Sequence, residues 1–177
     1  MKSLNTLLLC AATLLAGCAT PVEPSHYADQ LPTLDLPQYF NGTLDAHGMF
    51  QDRSGTVIKR FSVVMQCRWQ GDTGTLDEAF TYADGTQQRR VWTLKKTAAG
   101  RYTGTAADVV GEAEGVVAGN ALRWRYTLAL PVDGKVVNVH MEDWMYLMPD
   151  GVMLNRAAMS KFGFHVGDVT LSFSRRP

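Results

Sequence analysis

Four charged residues lie in stretches where apolar residues recur at every second position: Glu78, Arg90, Asp143 and Arg156. Because alternate side chains of a β-strand face the same side, each charge would share its face with aromatic and aliphatic neighbours. A charge in such surroundings is costly unless it is paired and hydrogen bonded. These residues therefore either fix strand register as buried ion pairs or bind a ligand, and an arginine fork suits a carboxylate or a phosphate.

The hairpin turns predict which of these side chains meet. A two-residue turn at 133–134, where the sequence reads Asp-Gly, would place Trp124 opposite Asp143 and Tyr126 opposite Met141. All four side chains would then face the interior, so Asp143 would have apolar neighbours.

Two further pairings follow from the same alternation. A turn at 150–151, also Asp-Gly, would place Arg156 on the interior face as a partner for Asp143. A three-residue loop at 83–85 would place Glu78 opposite Arg90. A one-residue bulge at either end of strand 135–147 would turn its other face inwards, with Glu142, Trp144 and Tyr146.

The elements that must position these residues are short β-strands. No segment sustains a helical apolar period, and period-two runs separated by glycine-containing turns recur instead. The pattern predicts an all-β fold, an antiparallel meander of about 8–10 strands closed or nearly closed into a lipocalin-like barrel, because closure removes exposed edges. A barrel of that size can hold one small ligand. The candidate strands cover about 43–50, 57–69, 75–83, 86–97, 101–106, 112–118, 121–131, 135–147, 152–160 and 166–174.

Composition and motifs exclude several classes of function. The 177-residue chain has 17 basic and 17 acidic residues, which argues against nucleic-acid binding. Outside residues 1–18 the sequence contains a single cysteine, Cys67, so an intramolecular disulfide is not expected. We find no nucleophile elbow, zinc motif, phosphate-binding loop or dinucleotide fingerprint, and we expect no metal, no cofactor and no catalytic residue of a known type.

The N-terminus has the features of an export signal. A basic start and an apolar run too short to span a bilayer lead to Leu-Ala-Gly-Cys at 15–18. This sequence resembles the lipobox of bacterial lipoproteins, so residues 1–17 are predicted to be a signal peptide and Cys18 a lipid-modified N-terminus. Ala19 is not the aspartate that marks inner-membrane retention in many enteric bacteria. The prediction is therefore a cell-envelope protein, lipid-anchored in the outer membrane and facing the periplasm.

The rest of the chain divides into two parts. Residues 18–38 contain four of the seven prolines and predict an extended linker that holds the domain away from the bilayer. Residues 39–177 form the predicted β-barrel-like domain.

Several stretches of this domain resemble a family of Gram-negative lipoproteins catalogued as domain of unknown function 3833. The resemblance implies a membrane-anchored periplasmic domain, and it supplies no activity and no catalytic residue. The matching stretches are Phe50-Gln-Asp-Arg-Ser-Gly55, Arg90-Val-Trp92, Gly100-Arg-Tyr-Thr-Gly104, Asp108-Val-Val-Gly-Glu-Ala113, Asp143-Trp-Met-Tyr146 and Asn155-Arg-Ala-Ala-Met-Ser-Lys-Phe-Gly-Phe164.

Three hypotheses about function remain open. The first is a module that binds a lipid-like or other apolar ligand with an anionic group inside the barrel. The second is an envelope interaction or structural protein with a packed barrel and no ligand. The third is an enzyme acting on a lipid or small substrate, with Asp143 as general acid or base and Arg156 as its partner. For the first, the expected apolar contacts are Trp92, Trp124, Tyr126 and Met141, and the expected polar groups are Arg90, Asp143 and Arg156.

Overall fold

The computed structural model describes residues 21–132 and 134–177. The predicted signal peptide at 1–17, the predicted lipid site Cys18 and the turn residue Asp133 lie outside the described residues.

Ten antiparallel strands form the body of the protein. Each pairs with the next along the chain, and β1 pairs with β10, so the sheet closes into a barrel. The prediction of an all-β antiparallel meander closed into a barrel is confirmed. The strands are β1 Gly42–Asp52, β2 Val57–Gln70, β3 Thr73–Tyr82, β4 Gln87–Ala98, β5 Arg101–Thr105, β6 Ala113–Ala118, β7 Ala121–Val132, β8 Lys135–Leu147, β9 Met153–Lys161 and β10 Phe164–Arg175.

The two ends of the barrel differ. One end carries the β2–β3, β4–β5, β6–β7 and β8–β9 turns, and we call it the closed end. The opposite end, which we call the mouth, carries the β1–β2, β3–β4, β5–β6, β7–β8 and β9–β10 connections.

A segment before β1 covers the closed end. It contains a short helix, α1 Leu36–Tyr39, whose N-cap Asp35 accepts a hydrogen bond from the backbone N–H of Gln38 at 2.9 Å. Leu36 is buried among core residues of the barrel. The indole N–H of Trp69 donates to the carbonyl of Phe40 at 2.9 Å, which ties the segment to β2.

The same segment corrects the prediction of an extended linker through residue 38. A 3₁₀-helix at Pro24–Tyr27 packs against β6 and β7. The N–H of Leu34 donates to the carbonyl of Gly119 at 2.8 Å. A Cβ at Gly119 would lie 1.8 Å from the carbonyl oxygen of Tyr27, so this turn admits only glycine where the segment crosses it. The segment is packed and not extended, because Leu34 and Leu36, which lie between Pro32 and Pro37, are buried.

The core lies within the barrel and beneath α1. The hydrophobic clusters draw their residues from Leu34 to Phe173. The closed sheet and these clusters both lie within residues 21–177, so this span is a complete folded unit.

The register of the β7–β8 hairpin is the predicted one. Trp124 is paired with Asp143, and Tyr126 is paired with Met141. In the β3–β4 hairpin Glu78 is paired with Arg90, again as predicted.

The predicted interior position of Arg156 is wrong. Beyond the strand ends, the N–H of Met148 donates to the carbonyl of Val152 at 2.8 Å, which leaves residues 149–151 as a three-residue loop. The predicted turn had two residues, so the inward and outward positions of β9 shift by one residue. Ala157 is directly opposite Asp143, and Arg156 is opposite Trp144, so Arg156 does not share the interior face with Asp143. The side chain of Arg156 is 77% exposed on the outer wall and lies 3.7 Å from Asp168.

Candidate ligand cavity

A cavity of about 810 Å³ occupies the barrel interior. Leu36 and Phe40 line it next to the closed end, and Ile58, Lys59 and Lys161 line it at the mouth. Its volume falls within the range of about 300–1,000 Å³ of small-ligand sites. The interior is therefore large enough for one ligand, with the rim of the mouth as part of its wall.

Six of the seven residues predicted to bind a ligand line this cavity. They are Arg90, Trp92, Trp124, Tyr126, Met141 and Asp143. The seventh, Arg156, is on the outer wall and does not take part.

Three aromatic rings form one cluster in the cavity wall. The ring of Trp92 meets Trp124 edge-on, with centroids 5.7 Å apart, and meets Tyr126 in the same way at 5.3 Å. A Cβ on Gly115 would lie 2.3 Å from the indole of Trp124, so the absence of a side chain there makes room for the ring. The cluster gives the cavity wall a preformed apolar surface.

Arg90 already has partners within the protein. Its Nε and Nη2 donate to the carboxylate of Asp108 at 2.7–3.1 Å. Its Nη1 is 3.9 Å from Glu78. A guanidinium engaged by two carboxylates has little remaining attraction for an anion, so the predicted role of Arg90 in holding an anionic group has no support in this geometry.

Asp143 is a buried carboxyl group with few partners. The hydroxyl of Tyr126 donates to Oδ2 at a long 3.4 Å, and Oδ1 has no hydrogen-bond partner among the described residues. Burial raises the pKa of Asp143 to about 7, against the smaller opposing effects of Tyr126 and Arg90. The predicted partner Arg156 is absent from its surroundings, which is why burial prevails.

The pKa of Glu78 is raised for the same reason as that of Asp143. Burial raises its pKa to about 7, although Arg90 opposes the rise, and Asp108 and Asp143 add to it. Near neutral pH, Glu78 and Asp143 each exchange between charged and neutral forms. The middle of the cavity therefore contains two carboxyl groups that repel an anion when they are charged. It favours an apolar group or a hydrogen-bond donor.

Three residues in or next to the cavity wall were not predicted from the sequence. Asp108 lies in the β5–β6 connection, where no periodicity predicts which way a side chain points. Asn155 is buried and donates to the carbonyl of Trp144 at 3.1 Å, and its position depends on the β8–β9 loop. Lys161 lies at a strand end, and the shape of the mouth was needed to identify it as part of the wall.

The described residues offer no cluster of three or more His, Cys, Asp and Glu side chains that could hold a metal ion. Their helices are too short, or not apolar enough, to cross a membrane.

Comparisons with known proteins identify the family and support the fold. The family model described as Protein of unknown function (DUF3833) matches residues 12–175, so the predicted family is confirmed. The S-type phycobiliprotein lyase CPES from Guillardia theta has a similar structure, with a TM-score of 0.56 and 7% identity over 79% of this chain and 89% of that one. That barrel is lipocalin-like, as predicted here. No curated protein sequence matches this chain.

The raised pKa of Asp143 predicts a pH-dependent stability. Between the unfolded value of 3.8 and about 7, the folded protein holds a proton that the unfolded chain has lost, so rising pH removes stability. In Asp143→Asn the amide cannot ionise. We expect the free energy of unfolding of this variant to rise relative to that of the wild type by about 1.4 kcal/mol per pH unit across this window. Urea denaturation from pH 4 to pH 8 measures the difference.

The exposed turn residue Asp72 provides the control, because Asp72→Asn removes a carboxyl group that water already solvates. If the free energies of unfolding of Asp143→Asn and the wild type changed in parallel with pH, the raised pKa of Asp143 would be contradicted.

Proposed function

This chain belongs to the DUF3833 family, and we propose that it is a lipid-anchored envelope protein whose barrel binds one molecule with a long apolar part and an anionic end. The observation that carries the proposal is the cavity of about 810 Å³, which α1 covers at one end and a mostly apolar wall surrounds. Burial of apolar ligand surface against this wall would supply most of the affinity, at roughly 25 cal/mol per Å².

The anionic end of the ligand is assigned to the mouth. Lys59 and Lys161 line the cavity there, whereas Arg90 is occupied by Asp108 deeper in the barrel. An ammonium group at a rim can pair with a carboxylate or phosphate that stays partly solvated, which avoids the cost of burying the anion. The ligand would therefore enter apolar part first, with its charged group last.

The anchor is proposed from the sequence around Cys18. Cys18 is three residues before Pro21, so the chain between them reaches at most about 11 Å. Pro24 is already buried in the 3₁₀-helix that packs against β6 and β7. A lipid on Cys18 would hold the domain close to the membrane, in place of the long spacer that the prolines suggest. An outer-membrane site that faces the periplasm is part of the same proposal.

The two alternative functions, an interaction protein without a ligand and an enzyme, differ in how well they fit the cavity. A packed barrel without a ligand does not fit an interior with a cavity of this volume. Catalysis remains a second candidate, because a buried carboxyl group with a pKa of about 7 can act as a general acid or base. Arg156 would have no part in that chemistry, since it lies on the outer wall. The likeness to a phycobiliprotein lyase concerns the fold, which by itself selects neither function.

Adjacent residues of β9 allow a matched test of the cavity. Ala157 is buried and lines the cavity, whereas Ala158 faces the other side of the strand. We expect Ala157→Leu to weaken binding of a dansylated undecanoic acid by about tenfold or more, because the added carbons occupy ligand space. Ala158→Leu should bind as the wild type does. Fluorescence titration gives both affinities, and equal affinities would argue that the ligand binds elsewhere.

The rim lysines predict a preference for charged ligands. We expect the double variant Lys59→Gln, Lys161→Gln to lose about tenfold in affinity for palmitic acid and little for hexadecanol, since only the acid carries a charge for them. Displacement of the dansylated probe reports both affinities. Arg156→Gln is the control and should change neither. Equal losses for the acid and the alcohol would place the carboxylate away from these lysines.

A further inference from the structure

One half of the mouth carries exposed apolar side chains at its tips. It is formed by the β1–β2, β9–β10 and β7–β8 hairpins, which are neighbours around the barrel. Phe162 and Phe164 are 86% and 75% exposed in the β9–β10 hairpin. The other exposed apolar residues of this half are Val57, Ile58, Val132 and Val136. We call the described residues of the stretches 52–60, 131–136 and 160–165 the apolar half-rim.

The apolar half-rim is also basic. Within its three ranges the sequence has five basic residues and two acidic ones. One of the acidic residues, Asp52, accepts hydrogen bonds from Ser54 and Thr56 within its own turn. The basic residues are Arg53, Lys59, Arg60, Lys135 and Lys161. Apolar tips surrounded by positive charge match the chemistry of a bilayer surface that contains anionic lipids.

The shape of the half-rim favours a bilayer over a protein surface. Its apolar side chains lie on separate hairpins, and Phe162 stands at a turn with a positive φ of 51°. Separate tips can each enter the headgroup region of a deformable membrane, whereas a protein partner is recognised by one continuous complementary patch. The remainder of the mouth has one exposed large apolar side chain, Val110 at 49%, and its two connections carry the acidic residues Asp84 and Glu112.

We propose that the apolar half-rim docks the mouth of the barrel on a bilayer containing anionic phospholipid. This inference rests on the proposed function, because docking there would bring the open end of the cavity to the acyl chains of the membrane. A ligand could then pass between bilayer and cavity without crossing water. The N-terminal segment packs at the opposite end, so the bilayer docked at the mouth is not the one that a lipid on Cys18 would occupy.

Vesicle flotation with residues 21–177, which contain the complete barrel, tests the docking without an anchor. We expect the wild type to float with vesicles of phosphatidylglycerol and phosphatidylcholine, and to do so much less with phosphatidylcholine alone. High salt should also release it, because screening weakens the attraction of the basic residues. The double variant Phe162→Ser, Phe164→Ser should lose about tenfold or more in vesicle affinity. Neither phenylalanine lines the cavity.

A matched control removes an exposed apolar side chain from the outer wall. Leu154 is 45% exposed on β9, and Leu154→Ser should float as the wild type does. A wild type that stays unbound, or a double variant that floats unchanged, would overturn the docking. Phenylalanine-dependent self-association in sedimentation, without flotation, would also overturn it and would identify a second copy as the occupant.

Titration of the same proteins with dansylated undecanoic acid in the absence of vesicles separates the two proposals. Probe binding without flotation would refute the docking and leave the cavity proposal standing. Flotation without probe binding would refute the cavity proposal and support the docking surface by itself.

Discussion

Closure of the sheet between β1 and β10 is the constraint on which the rest of the structure depends. Once nine successive hairpins and this seam fix the register, every second side chain must face a shared interior. The interior residues do not fill that space, and α1 covers one end of it. The same closure pairs the backbone hydrogen-bonding groups of β1 and β10, which would otherwise be exposed edges. The barrel therefore keeps its shape while the mouth remains available to a ligand.

The polar residues inside the barrel divide by depth. Arg90 and Asp108 neutralise each other, whereas Glu78 and Asp143 are buried without full compensation, and burial raises the pKa of each to about 7. Holding such groups costs stability that grows as the pH rises from their unfolded pKa values of 3.8 and 4.5 to about 7, a cost typical of functional sites. Lys59 and Lys161, the basic residues of the cavity wall that have no salt bridge within the described residues, lie at its rim. An elongated ligand with its charge at the mouth fits this order of groups.

Much of the fold could be predicted from sequence because strand alternation and turn residues are local. They placed all ten strands, and they paired Trp124 with Asp143 correctly. They failed at the β8–β9 loop, where three residues replaced the expected two and moved Arg156 outside. The partner of Arg90, Asp108, comes from an irregular connection, and such a contact depends on tertiary structure. The packing of residues 24–38 was missed for a similar reason, since proline density says nothing about what buried leucines contact.

The most direct test of the central claim is native mass spectrometry of the protein isolated from the cells that make it, before and after extraction with organic solvent. The account predicts an additional mass on the folded barrel that extraction removes, and that belongs to a molecule with a long apolar part and an anionic group. The Ala157→Leu variant should carry less of it. A mass equal to that of the polypeptide with its covalent modifications alone, unchanged after incubation with lipid-rich extracts, would contradict ligand binding.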